Sequence, residues 1–185
     1  MTTRGAQPTW RSSALRWLPT FLGFPLGGGL AEIIVGPVDG VAAALLGGAI
    51  TGAVLGAVQA WAMGSSGPPA QRWTIATMAG LAAGLGLGSA VVGYGTSLGE
   101  LALQGAICGL AIGAAQAVLL RGRRAYLWAP ALSALWALGW TITTAIGVDV
   151  ETQYTVFGSS GALVVTAATV VLPMLLATRT LRSAS

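Results

Sequence analysis

Six apolar stretches, each about as long as a bilayer is thick, run through this chain with short breaks between them. A helix rises 1.5 Å per residue, so a hydrocarbon core of about 30 Å takes roughly 20 apolar residues to cross. The stretches cover about residues 17–35, 41–63, 73–93, 98–120, 127–147 and 155–177. The breaks carry turn residues: Gly36-Pro37-Val38-Asp39-Gly40, Gly64 to Pro69, Tyr94-Gly95-Thr96, Arg121 to Arg124, and Val148 to Glu151. Backbone polar groups in lipid find no water, so such a stretch has to be helical. The expected fold class is all-α, a six-helix transmembrane bundle, with residues 1–185 forming a single integral membrane domain.

Charge supports that reading and orients it. Only 8% of the residues are charged, against about 25% in an ordinary soluble domain. All nine cations are Arg, and they sort to one side if six spans are assumed. Arg4, Arg11 and Arg16 precede the first span, and Arg72 ends the second break. Arg121, Arg123 and Arg124 lie in the fourth break, and Arg179 and Arg182 follow the last span. The acids Glu32, Asp39, Glu100, Asp149 and Glu151 fall on or near the other side. Positive residues stay in the cytoplasm, so both termini are expected inside a bacterial cytoplasmic membrane. The apolar run that begins at Trp17 is too long for a cleaved signal and reads as a first span. Trp10, Trp17, Trp61, Trp73, Tyr126 and Trp128 near inner ends, with Tyr94 and Tyr154 near outer ones, read as an interfacial belt.

The same facts exclude whole classes of function. The Arg residues are scattered among apolar spans and make no groove-sized basic stripe, so nucleic acid is set aside. With no His, a lone Cys108 and acids far apart in sequence, neither a metal site nor a disulfide framework is expected, and no cofactor. The absence of Lys excludes a retinal Schiff base. No nucleophile–base pairing is visible, so catalysis is not the expected role.

A repeat of about 56 residues underlies the spans. Gly48, Gly52, Gly56 and Gln59-Ala60 recur as Gly105, Gly109, Gly113 and Gln116-Ala117, an offset of 57, and a fainter copy begins at Gly161. Trp17, Trp73 and Trp128 each open an odd span, followed 11 residues later by Gly28, Gly84 and Gly139. Each unit (about 17–63, 73–120 and 127–177) is then two spans, out and back. Units with an even number of spans insert in the same orientation, which predicts three parallel repeats about an axis along the membrane normal.

Small residues at four-residue spacing mark packing faces: Gly48, Gly52 and Gly56; Gly105, Gly109 and Gly113; Ala76, Gly80, Gly84 and Gly88. These faces serve packing within the chain, or a membrane-protein partner or second copy; the bilayer is the remaining partner.

The polar residues available to a function are few. Gln59 and Gln116 share the glycine faces near the inner ends and read as interhelical hydrogen bonds or as a polar site. The third unit places Leu172 there, followed by Pro173. Glu32 is the acid placed deepest in a span, one turn from Gly36-Pro37, and reads as a transport residue or an interfacial carboxylate. Pro25 removes the hydrogen bond to the Phe21 carbonyl and is a hinge candidate. Trp136 and Trp140, one turn apart, read as a stacking surface for a ligand or as core. Three roles follow: small-molecule or ion binding and transport, an accessory subunit of a membrane complex, or an enzyme on a lipid-like substrate.

The Gly-x-x-x-Gly-x-x-Gln-Ala pattern, followed by an Arg-bearing loop and a new Trp-initiated span, resembles a broad group of small bacterial membrane proteins from high-G+C, actinobacterial-like genomes. The resemblance implies a six-span membrane protein and no particular activity. Six-span substrate-binding subunits of vitamin importers are similar in size, but none of their motifs is present and the parallel repeat counts against them.

Overall fold

The computed structural model describes residues 10–120, 125–147 and 159–170. It is an all-α bundle. Helix α1 (Trp10–Trp17) runs through a 3₁₀ turn (Leu18–Leu22) into α2 (Gly23–Val35). Then follow α3 (Val41–Met63), α4 (Ala70–Val91), α5 (Leu98–Ala117), α6 (Trp128–Ala145) and α7 (Ser159–Thr169).

Four segments are long and apolar enough to cross a membrane: Ala14–Val35, Val41–Ser66, Ala70–Val91 and Leu98–Ala117. Among the described residues, four of the six expected spans meet this measure. Helix α6 has 18 residues, shorter than the 127–147 expected, and its Trp, Thr, Ser and Pro lower its hydropathy. The sixth expected span, 155–177, falls partly outside the described residues, and α7 covers 11 of its positions.

The helix ends follow local chemistry. Ser97 and Glu100 form a reciprocal cap on α5: the Ser97 N–H donates to Glu100 Oε2 at 2.9 Å, and Ser97 Oγ accepts from the Glu100 N–H. Helix α3 stops at Gly64, whose φ of +55° suits glycine. Arg16 then donates to the Trp61 carbonyl in the last turn of α3 at 2.9 Å, a cation at the negative helix end. Pro25 lies in the first turn of α2, and the Phe21 carbonyl it cannot serve is reached instead by the Gly23 N–H.

Each helix packs against its chain neighbours, and α7 returns onto the 3₁₀ turn and α2 to close the ring. The glycine faces make this close approach possible. A Cβ at Gly48 or Gly52 would lie 2.7 Å from α4 backbone atoms, and one at Gly80 or Gly84 would lie 2.7 Å from the Cα of Ile112 or Cys108 on α5. A Cβ at Gly109 would collide with the Leu132 carbonyl of α6. These faces are thus occupied by the chain's own helices. Phe24, Leu55, Leu81, Ile112, Leu132 and Trp136 fill the middle of the ring, with Phe24 and Trp136 in a tilted ring contact at 5.4 Å. Large apolar side chains point outward instead of being hidden: Leu26, Ile33, Leu46 and Leu87 are all more than half exposed.

Candidate functional site

One group of polar side chains inside the bundle gathers where α1 ends, where α4 and α6 begin, and where α3, α5 and α7 approach their ends; Ser89 with Gln104, and Thr143 with Ser160, lie toward the other helix ends. An indole N–H can only donate, so each buried Trp needs an acceptor on another helix. Trp73 Nε1 donates to Gln59 Oε1 at 3.1 Å, and Trp128 Nε1 to Gln116 Oε1 at 2.9 Å. Trp17 Nε1 donates to Thr169 Oγ1 at 3.1 Å. The bonds from Trp73 and Trp128 join the start of one helix to the far part of another, and Trp17 makes its bond from the end of α1.

Because the indoles claim the amide oxygens, the amide nitrogens face the other way. Gln116 Nε2 donates to Thr77 Oγ1 at 2.9 Å, and more weakly to Gln59 Oε1 at 3.4 Å. Thr77 Oγ1 passes its own proton to the Trp73 carbonyl at 2.9 Å. Thr169 Oγ1 donates back to the Val165 carbonyl at 2.8 Å. One network therefore ties α3, α4, α5 and α6, and a single bond ties the first helix to the last.

A cavity of about 10 Å³ lies on the axis inside this network. That is room for about one water. Gln59, Gln116, Thr166 and Thr169 supply its polar wall, and the rings of Trp17, Trp73, Trp128 and Trp136 much of the rest. Among the described residues no charged side chain lines it.

No protein-family model, no curated protein and no solved structure matches the chain. The site therefore rests on its own chemistry.

Of the candidates read from sequence, Gln59, Gln116 and Trp136 line the cavity. Pro25 stands beside Phe24, which also lines it. Trp140 does not; it is buried one turn along α6, against Gly105. Glu32 lies in the last turn of α2, about 22 Å along the axis from Trp17 at 1.5 Å per residue. It is partly exposed, and its Oε2 is buried without a hydrogen-bond partner. The two readings of Glu32 thus meet in one residue, half in contact with surroundings and half enclosed. Leu172 lies outside the described residues; within them, the place opposite Trp17 is taken by Thr169.

Two expectations change. Trp17 and Trp73 do not belong to an interfacial belt, being 1% and 0% exposed with their N–H groups bonded inside. Trp61 and Tyr126, by contrast, are exposed. Near a span end, a belt Trp and a core Trp look alike in sequence, and the acceptor on the next helix decides between them. The residues that sequence reading missed are Thr77, Thr166 and Thr169. Thr169 falls four residues after Val165, just as Gln59 follows Leu55 and Gln116 follows Ile112. A search for any acceptor, not Gln alone, at the end of each even span would have reached it.

Proposed function

We propose that this is a six-span protein of the bacterial cytoplasmic membrane, built from three parallel two-helix units with both termini inside, and that its axial cavity binds a small uncharged polar molecule as a step in transport. The outward-facing Leu and Ile side chains and the glycine-packed helix contacts, with Gln and Thr side chains turned inward, support a lipid surround. The three indole-to-acceptor bonds, recurring from unit to unit, support the parallel arrangement.

The carrying observation is the cavity itself. Amide and hydroxyl groups of Gln59, Gln116, Thr166 and Thr169 converge among indole rings, with no charge among them. A binding site is mostly apolar with a few placed polar groups. A neutral wall of donors and acceptors favours a neutral partner, since an ion would be stripped of water without compensation. The cavity as it stands takes about one water. A larger ligand requires α1 and α2 to move, and the 3₁₀ turn Leu18–Leu22 between them places the helix interruption on that side.

Four indoles on the cavity wall make tryptophan emission the readout. Titrating the detergent-purified chain with uncharged solutes such as glycerol and urea, and with charged ones, is expected to give a saturable emission change for an uncharged solute alone. Gln116→Leu is expected to abolish it, and Trp61→Phe, outside the cavity, to leave it intact. A strictly linear response to every uncharged solute, or saturation that survives Gln116→Leu, would overturn the reading.

The accessory-subunit role depends on a free small-residue face; the glycines at four-residue spacing are packed against neighbouring helices, while Ala57, Ala60 and Gly64 line an open outer groove that keeps this second reading. The enzyme role needs a cavity that gathers two or more acids, and the described acids Glu32, Asp39 and Glu100 line neither the axial cavity nor the outer groove.

A further inference from the structure

We propose that the outer groove between the end of α3 and the start of α4 holds one anionic phospholipid. The groove, of about 550 Å³, is hollowed by the small residues Ala57, Ala60 and Gly64 and walled by Trp61 and Ile75. It is an apolar trough along two helices, the shape an acyl chain fills.

A cation stands at its edge: Arg16 Nη2 lies 3.4 Å from the Cβ position of Gly64, which lines the groove. Arg16 donates one N–H to the Trp61 carbonyl at 2.9 Å, and its guanidinium lies 5.6 Å from the centroid of the Trp61 ring. Guanidinium carries five N–H donors in a planar fork that matches phosphate oxygens, so donors remain for a headgroup. Across the groove, α4 begins after Pro69 with no side-chain cap, leaving first-turn N–H groups and the positive helix end exposed beside Gln71. Arg72 stands exposed in the same turn. The described acids Glu32, Asp39 and Glu100 all lie at the opposite helix ends. A basic pocket between membrane helices on the cytoplasmic side is suited to an anionic lipid headgroup. A free anion would use the cationic edge and leave the trough empty; a zwitterionic lipid would fill the trough and bring no net charge.

The proposal rests on the membrane reading, and the two can fail separately. The test is native mass spectrometry of the full chain in detergent, exchanged with equal amounts of phosphatidylglycerol and phosphatidylcholine. Wild type is expected to retain one phosphatidylglycerol in preference. Arg16→Gln is expected to lower that preference about five-fold, the effect of one surface cation on an anionic lipid. Arg16→Lys, which keeps the charge, retains most of it. Ala57→Phe fills the trough without touching Arg16 and is expected to reduce retention of both lipids. Equal retention of the two lipids by wild type would overturn the lipid site alone. So would folded Arg16→Gln and Ala57→Phe variants that both keep the wild-type pattern. A chain that stays monomeric without detergent would overturn the membrane reading as well.

Discussion

Which way an amide points is decided here by its neighbours. Trp73 and Trp128 turn the oxygens of Gln59 and Gln116 toward themselves, and the nitrogen of Gln116 then reaches Thr77. Gln116 is 1% exposed and serves three partners, whereas Gln59 is half-buried. Gln116→Leu strands the Trp128 N–H inside the bundle and is expected to cost about 1–3 kcal/mol. Gln59→Leu, where solvent or headgroups can reach, is expected to cost less. Thermal unfolding of the two variants in the same detergent checks the order; equal melting temperatures would contradict it. The pair of Gln residues was legible as a pair because both follow glycines at fixed spacing. Thr169 was not read as their counterpart, because the third unit carries no Gln, and only Trp17 opposite it shows that a threonine takes the acceptor's place.

Helices here are held by contact between backbones. A Cβ at Gly84 would stand 2.7 Å from the Cα of Cys108, an atom that cannot step aside. Around Gly29 on α2 a Cβ would meet nothing within 4 Å. Gly84→Ala is therefore expected to destabilise by about 1–3 kcal/mol through overpacking, and Gly29→Ala to be neutral or to stabilise by up to about 1 kcal/mol through helix propensity. Melting temperatures of the two single variants test the contrast, and a loss of similar size in both would remove the argument. The first helix also departs from the spacing of the others. Gly27, ten residues after Trp17, meets α3 with its Cβ position 2.9 Å from the Thr51 Cα, as Gly84, eleven residues after Trp73, meets Cys108. The 3₁₀ turn at Leu18–Leu22 accounts for this, since about 2.0 Å of rise per residue covers the same distance in fewer residues. No residue pattern distinguished that turn from ordinary helix beyond Pro19 and Pro25.

For the molecule as a whole, the proposed topology places Ser66 and Asp39 on opposite sides of a membrane. Single cysteines at these sites, in a Cys108→Ala background, are expected to react with an impermeant maleimide from opposite faces. Ser66→Cys should label in inverted vesicles, and Asp39→Cys in intact spheroplasts. Labelling of both from one face would contradict the arrangement. The ring is closed by Trp17 on Thr169, where the other indoles reach glutamines. A hydroxyl that also serves its own helix is a lesser anchor than a glutamine, so the seam between the first and last helices is the natural place for the ring to open. Thr169→Val removes the acceptor and little volume, and is expected to increase amide exchange in α1 and α7 more than in α4 and α5; uniform exchange would speak against that seam.

Residue order alone determined that the chain is helical and where most helices run: apolar runs that leave their backbone no water to bond with have one way to satisfy it. It also picked out the glycine faces, because a four-residue spacing survives any arrangement of the helices. Tertiary structure decided which faces meet, which tryptophans lie inside, and that Gln59, Gln116 and Trp136 share a cavity while Trp140 and Glu32 do not. Those outcomes depend on how far one helix slides along another, and a shift of one turn changes every partner. Nothing local in the chain records that slide. It is chosen by close backbone packing and by the need of each buried N–H for an acceptor.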